Sequence, residues 1–202
     1  MTILSVNKTR ESDGRFALIF LWMGAVRPFF VWSGFMNQRV KKLVFGALLG
    51  AMYAALTFLQ NFLLPGSATW AIQFRVSEAL GVLALFTPAA APGLAVGCFV
   101  FNLYYVGALP LDLLLGPLAT FLACQSMWWL RKLPWLALSM PALFNAFLVG
   151  WELTVYIGNS FWLNALYVAI GEAAVLYTLG LLLYTTMKKN GLARRIFGET
   201  AC

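Results

Sequence analysis

The sequence predicts an all-α integral membrane protein with a single domain of six membrane-spanning helices. Of its 202 residues, 62% are apolar and 10% are charged, whereas soluble domains have about half apolar and about a quarter charged residues. The mean hydropathy is +0.82. Because a spanning helix uses about 20 residues, the length allows roughly six or seven spans and leaves no room for a separate soluble domain.

The first predicted span, 43–64, gives the clearest signal. Its 22 residues carry no charge, and at ~1.5 Å per residue they form roughly 33 Å of helix, enough to cross the hydrocarbon core. The span ends at Pro65-Gly66-Ser67, which is typical of a loop. Two short apolar segments follow, 76–86 and 93–106, and they form either tilted spans or a re-entrant hairpin. The last three segments, 111–130, 135–157 and 161–187, are long enough to span.

One face of the first span consists of small residues. They form two adjacent rows at a spacing of four residues: Gly46, Gly50 and Ala54, and Ala47, Ala51 and Ala55. In lipid, such a face lets another helix approach closely, and this packing drives association. The sequence leaves open whether that helix belongs to this chain or to a partner.

Basic residues cluster at the ends of the apolar segments. The clusters comprise Arg39, Lys41 and Lys42, then Arg131 and Lys132, and finally Lys188, Lys189, Arg194 and Arg195. With six spans all three clusters fall on one side of the membrane, and the excess of Lys and Arg on cytoplasmic loops places this side in the cytoplasm. Both ends of the domain are therefore predicted to be cytoplasmic, in a multi-pass protein of the cell membrane.

Residues 1–35 do not fit the six-span scheme, because a polar start leads into a further apolar segment. Three interpretations stay open: an upstream extension with Met36 as the true first residue, a helix on the membrane surface, or a seventh span. The predicted organisation is thus an extension over 1–35, a membrane domain over 36–190 and a cytoplasmic tail over 191–202.

Several classes of chemistry are disfavoured by composition. The chain has no histidine, and Cys98, Cys124 and Cys202 are widely spaced, so neither a zinc site, nor an imidazole base, nor a disulfide framework is expected. The basic residues mark helix ends and do not form a polar face, so nucleic-acid binding is not expected. We therefore predict no catalytic residue, no metal site and no cofactor in this chain.

Within the predicted six-helix domain the acidic residues are few and informative. They are Glu78, Asp112, Glu152 and Glu172. An ionised carboxylate that faces lipid at mid-depth costs on the order of 3 kcal/mol, so these side chains should face a protein interior or an aqueous cavity. Counted from the outer helix ends, three of them lie in the outer half of the membrane.

Other polar and aromatic side chains are expected at the same level: Gln73, Arg75, Asn102, Trp151 and Asn164, with Asn145 deeper in the membrane. Together with the carboxylates they predict a pocket that is open to the outside and suited to a planar, cationic small molecule rich in hydrogen-bonding groups.

Each of these residues also has a structural interpretation. Arg75 and Glu78 stand three residues apart and could neutralise each other. Asp112 follows a proline at a helix start, and we favour a capping role for it. Trp151 could belong to an interfacial belt. For Glu152, which has no basic neighbour in sequence, we favour a ligand contact. For Glu172, a role in helix packing and a role in ligand binding are equally favoured.

Several sequence blocks identify a resemblance that covers 36–189: ALLGAMYAAL, IQFRVSEALGVL, FTPAAAPGLAVGCFVFNL, LDLLLGPLAT, LFNAFLVGWELT and VAIGEA. They resemble the QueT family, the substrate-binding S components of energy-coupling factor (ECF) transporters. The resemblance implies a six-helix S-component fold that captures a queuosine precursor, chiefly 7-aminomethyl-7-deazaguanine, outside a bacterial cell.

The same resemblance implies how the residues are used. Glu152 would bind the guanine edge and Glu78 the amine, with Gln73 and Asn102 at the rim. Docking to a T membrane subunit would use Ala47, Ala51 and Ala55. Because the sequence has no G-x-x-x-x-G-K-[ST] motif, ATP would be used by two ATPase partner subunits. A different planar, vitamin-like solute remains the alternative.

Overall fold

The computed structural model describes residues 37–67, 74–105 and 108–197. The chain divides into two units, Met1–Lys41 and Lys42–Cys202. In the first unit, the described residues are Asn37 and the start of the first helix. The interpretations of residues 1–35 and the last part of the predicted tail, 198–202, lie outside the described residues.

Regular secondary structure in the described ranges is helical, as the sequence predicts. The elements are α1 (Gln38–Leu63), a 3-10 helix (Val76–Leu85), α2 (Ala90–Tyr104), α3 (Asp112–Trp129), α4 (Pro134–Leu138), α5 (Met140–Ile157), α6 (Phe161–Val175), a π-helical turn (Leu176–Gly180), α7 (Leu181–Lys189) and α8 (Leu192–Phe197). Two predicted segments contain irregularities: 135–157 is interrupted at Ser139, and 161–187 contains the π-helical turn.

Among the residues that the structure describes, three stretches are long and apolar enough to cross a membrane: Arg39–Leu63, Pro134–Ile157 and Phe161–Lys189. They have 25, 24 and 29 residues, each at or above the ~20 that a hydrocarbon core requires. The apolar helices Val76–Leu85 and Ala90–Tyr104 are shorter, with 10 and 15 residues. The count of six spans and the cytoplasmic position of the ends stay predictions.

The 3-10 helix lies in the interior of the second unit. All its residues except Val76 are buried, and it packs against α2, α3, α7 and the π-helical turn. Around it, consecutive pairs of longer helices are in contact: α2 with α3, α3 with α5, and α5 with α6. Large apolar side chains such as Phe62, Leu114 and Leu182 point outward, as expected for a surface covered by acyl chains.

The two small-residue rows of α1 have different environments. Gly46 and Gly50 are buried against Gly93 and Gly97 of α2, and a Cβ atom added to Gly93 would overlap the carbonyl oxygen of Gly46. The glycine row is therefore used for contact between helices of this chain, where only glycine permits such a close approach. The row formed by Ala47, Ala51 and Ala55 remains exposed.

We expect Gly93→Ala to lower the stability of the detergent-solubilised chain by about 1–3 kcal/mol, because the added methyl group must push α1 away from α2. Gly81→Ala is the matched control, since a Cβ atom there would meet its nearest neighbour, Cys124 Sγ, at 3.7 Å. Thermal unfolding followed by intrinsic fluorescence measures both. Equal melting temperatures for the two variants would contradict this packing.

Candidate functional site

Eight polar or charged side chains are buried inside the helical bundle. We call them the buried polar cluster, and each is at most 5% exposed: Arg75, Glu78, Asn102, Asp112, Asn145, Glu152, Asn164 and Glu172. Most lie close to a helix end. Asp112 begins α3, Asn102 lies two residues before the end of α2, and Glu152 lies five residues before the end of α5. The elements that carry them pack against one another.

Arg75 is paired with Asp112 across two helices. Its Nη2 atom lies 3.8 Å from Asp112 Oδ1. Arg75 precedes the 3-10 helix in an extended conformation, with φ −100° and ψ 97°, so its side chain does not follow the helical spacing that would place it over Glu78. The ion pair of Arg75 is therefore with Asp112, while Arg75 also interacts electrostatically with Glu78 at a longer distance.

Asp112 is held in place by α2. Asn102 Nδ2 donates to the Asp112 carbonyl oxygen over 2.6 Å. Gly116 makes room for this contact, because a Cβ atom at Gly116 would lie 2.7 Å from Asn102 Nδ2. The capping role favoured for Asp112 is wrong: Leu111 occupies the cap position and no side-chain capping hydrogen bond is present at the start of α3. The Asp112 side chain faces Arg75 instead.

Helix α1 fastens the first turn of the 3-10 helix through a row of polar side chains. The Tyr53 hydroxyl donates to Glu78 Oε1, and Thr57 Oγ1 donates to Ser77 Oγ over 2.7 Å. The Val76 amide donates to Gln60 Oε1 over 2.7 Å. Tyr53 was not anticipated from the sequence. A buried tyrosine hydroxyl needs a hydrogen-bonding partner, and this is the signal that could have identified it.

Glu152 and Glu172 are the least satisfied carboxylates of the cluster. Glu152 is 0% exposed, and neither of its carboxylate oxygens has a hydrogen bond among the described residues. Glu172 Oε2 likewise has none there. Glu152 interacts electrostatically with Asp112, and Glu172 interacts with Glu78. Arg75 interacts with both pairs, so one cation lies among four carboxylates.

The buried groups without a hydrogen bond are mostly acceptors. In the described part of the chain, six acceptor oxygens lack a donor: Asn102 Oδ1, Asp112 Oδ1, Glu152 Oε1, Glu152 Oε2, Asn164 Oδ1 and Glu172 Oε2. Asn145 Nδ2 is a donor that lacks an acceptor there. Leaving buried polar groups unsatisfied is costly. The interior is thus complementary to a compound that carries many N–H donors and positive charge.

The comparison with protein families identifies the family of this chain. The sequence model of the QueT transporter family matches residues 43–189. The chain belongs to the QueT transporter family. It is therefore a transport protein and not an enzyme, and the three candidate spans show that it is a membrane protein. Searches of curated proteins and of solved structures found no match.

In this QueT transporter, six of the predicted site residues lie in the buried polar cluster: Arg75, Glu78, Asn102, Asp112, Glu152 and Glu172. Trp151 does not join them. It is 51% exposed, whereas its neighbour Glu152 is fully buried, because successive helical residues point in directions about 100° apart. The prediction that Trp151 stacks on substrate is therefore not supported. Gln73 lies outside the described residues.

We expect Arg75→Gln to destabilise this QueT transporter by about 3–5 kcal/mol, because it leaves Asp112 buried without its cation. The double variant Arg75→Gln with Asp112→Asn removes both charges and should recover part of this loss. Thermal unfolding of the wild type, both single variants and the double variant in one detergent completes the cycle. Strictly additive effects would show that the ion pair has no energetic role.

Proposed function

We propose that this chain is the S component of an ECF transporter and binds 7-aminomethyl-7-deazaguanine in the buried polar cluster. The observation that carries the proposal is the excess of buried acceptor oxygens without hydrogen bonds among the described residues. The proposed ligand has what they need. Its guanine ring presents an N–H and an amino group side by side, and its aminomethyl group is a cation at neutral pH.

Glu152 is the residue that we assign to the guanine edge. Its two carboxylate oxygens are both buried and both lack donors in the described structure, so they can accept the two parallel N–H groups of that edge. Arg75 forms its ion pair with Asp112, and no comparable ion pair is found for Glu152 in the described residues. A ligand contact therefore supplies the donors that the protein does not.

The aminomethyl group is assigned to the pair of carboxylates formed by Glu78 and Glu172. Glu78 already accepts a hydrogen bond from Tyr53, whereas Glu172 Oε2 lacks a donor within the described residues. Glu172 is therefore better suited than Glu78 to receive the ammonium group, and Glu78 adds negative charge nearby. The aminomethyl group and the guanine edge lie on opposite sides of a rigid bicyclic ring, which matches two separate carboxylate pairs.

Delivery of the solute would require partner subunits. The sequence carries no phosphate-binding loop motif for ATP, so energy would come from two ATPase subunits acting through a T membrane subunit. The exposed row Ala47, Ala51 and Ala55 on α1 is suited to this contact, because small side chains allow a partner helix to approach closely. The buried glycine row of the same helix is already occupied by α2.

Two variants separate the two ends of the ligand. Glu152→Gln should weaken binding of both 7-aminomethyl- and 7-cyano-7-deazaguanine about 100-fold, because an uncharged side chain that carries its own donors replaces the carboxylate. Glu172→Gln should weaken only binding of the aminomethyl compound, since the cyano compound carries no cation. Isothermal titration calorimetry on the purified chain without ATP measures both.

Trp151→Phe is the control for these titrations and should leave both affinities unchanged, because Trp151 faces outward. Absence of binding to either compound by the wild type would reject the assigned substrate, and stabilisation by another planar vitamin would then favour the alternative solute. Equal losses for both compounds in Glu172→Gln would reject the assigned orientation.

The docking assignment has its own test. Ala51→Trp should abolish copurification with the T subunit while leaving solute binding intact, because a bulky side chain keeps the partner helix away. Ala174→Trp is the matched control, since Ala174 is an exposed alanine on α6. Copurification should survive in the control. If Ala51→Trp copurifies as well as the wild type, the alanine row is not the docking surface.

A further inference from the structure

A groove lies far from the buried polar cluster. It is an open groove of about 630 Å³ formed where α3 ends, where α4 begins and where α7 leads into α8. Asp112 of the cluster begins α3, and Arg131 of the groove is the second residue after the end of this helix. The 18 residues of α3 separate the two sites by roughly 27 Å at ~1.5 Å per residue. The groove therefore does not belong to the proposed solute site.

The rim of this groove is strongly basic. Five cationic side chains line it: Arg131, Lys132, Lys188, Lys189 and Arg194. No acidic residue is among the described residues that line it. Within residues 37–67, 74–105 and 108–197, the acidic side chains all belong to the buried polar cluster at the other end of α3. Because these five positive charges lie close together, the groove favours an anionic ligand.

The rest of the groove is apolar. The remaining lining residues are mostly hydrophobic: Leu85, Phe86, Pro134, Tyr184, Met187, Gly191 and Ala193. Two aromatic rings position basic groups. The Arg131 guanidinium lies 3.9 Å from the centroid of the Trp128 ring, and Lys188 Nζ lies 5.6 Å from that of Tyr184. The occupant should accordingly combine an anionic head with an apolar body.

The groove also lies at the level where lipid headgroups are expected. Trp129 and Trp135, on either side of the Arg131-Lys132 pair in sequence, are 73% and 64% exposed. Exposed tryptophans concentrate at the boundary between headgroups and acyl chains. Lys188 and Lys189 end α7, the last part of a candidate span. A membrane lipid can therefore reach the groove laterally.

We propose that this basic groove is a binding site for the headgroup of an anionic phospholipid. Its phosphate would be held by the lysine and arginine side chains of the rim, and the upper part of an acyl chain would contact the partly exposed Pro134 and Tyr184. Basic pockets between membrane helices bind anionic headgroups in this way. Free phosphate would leave the apolar wall uncovered, so the amphiphilic lipid is the better match.

The test uses the full chain purified in detergent and phosphatidylglycerol as the probe. Native mass spectrometry should show phosphatidylglycerol adducts that phosphatidylcholine does not form. Lys132→Gln with Lys189→Gln should weaken these adducts roughly 30-fold, about fivefold for each lost cation. Lys132→Arg with Lys189→Arg keeps both charges and should bind phosphatidylglycerol as the wild type does.

The matched control is the double variant Lys41→Gln with Lys42→Gln. It also removes two positive charges, but neither Lys41 nor Lys42 lines the groove. It should retain its adducts. The proposal is overturned if phosphatidylcholine binds equally, or if the control pair loses adducts as strongly as the groove pair. It is also overturned if millimolar inorganic phosphate displaces the lipid, which would assign the site to a free anion. Solute titrations should be unaffected by the groove variants.

Discussion

Burial of negative charge within an apolar bundle is the constraint on which the arrangement of the helices depends. Glu78, Asp112, Glu152 and Glu172 are buried around Arg75, and a carboxylate removed from water needs a cation or several donors. The protein supplies these unevenly, because Asp112 has the guanidinium and Glu78 has the Tyr53 hydroxyl. The proposed solute would therefore gain affinity by completing hydrogen bonds that the protein leaves open, and the same property would favour donor-rich compounds.

Helix α1 lies between this interior and the surface, because its different faces contact different parts of the molecule. Gly46 and Gly50 contact α2, and Tyr53, Thr57 and Gln60 bond the region that contains Glu78. The alanine row is left exposed. A change at Glu78 on solute binding would act directly on Tyr53, two residues from Ala51. The helix proposed to dock with the T subunit is thus also the helix that holds Glu78 of the proposed site through Tyr53.

Helix positions were largely predictable because apolar runs and their Pro, Gly and charge boundaries are local signals. The predicted 93–106 and 111–130 correspond to Ala90–Tyr104 and Asp112–Trp129. Burial of the carboxylates was also predictable, since lipid exposure costs too much. Their partners were not. The extended backbone at Arg75 redirects its side chain to Asp112, and Tyr53 reaches Glu78 across 25 residues. Sequence spacing cannot encode such contacts between elements.

The charge distribution along α3 also bears on transport. Carboxylates surround its first turn, and basic side chains surround the chain that follows its last turn. A cationic solute is attracted to the acidic end, and simple passage along the bundle would bring it toward like charge. Between the two ends, the interior is closed by apolar side chains such as Leu94, Met127 and Leu176. Release of the proposed solute by diffusion through the protein would therefore be opposed by both charge and packing, and the solute would have to leave through a rearrangement of the bundle. Under the proposed function, this requirement gives a physical reason for the chain to depend on separate ATPases.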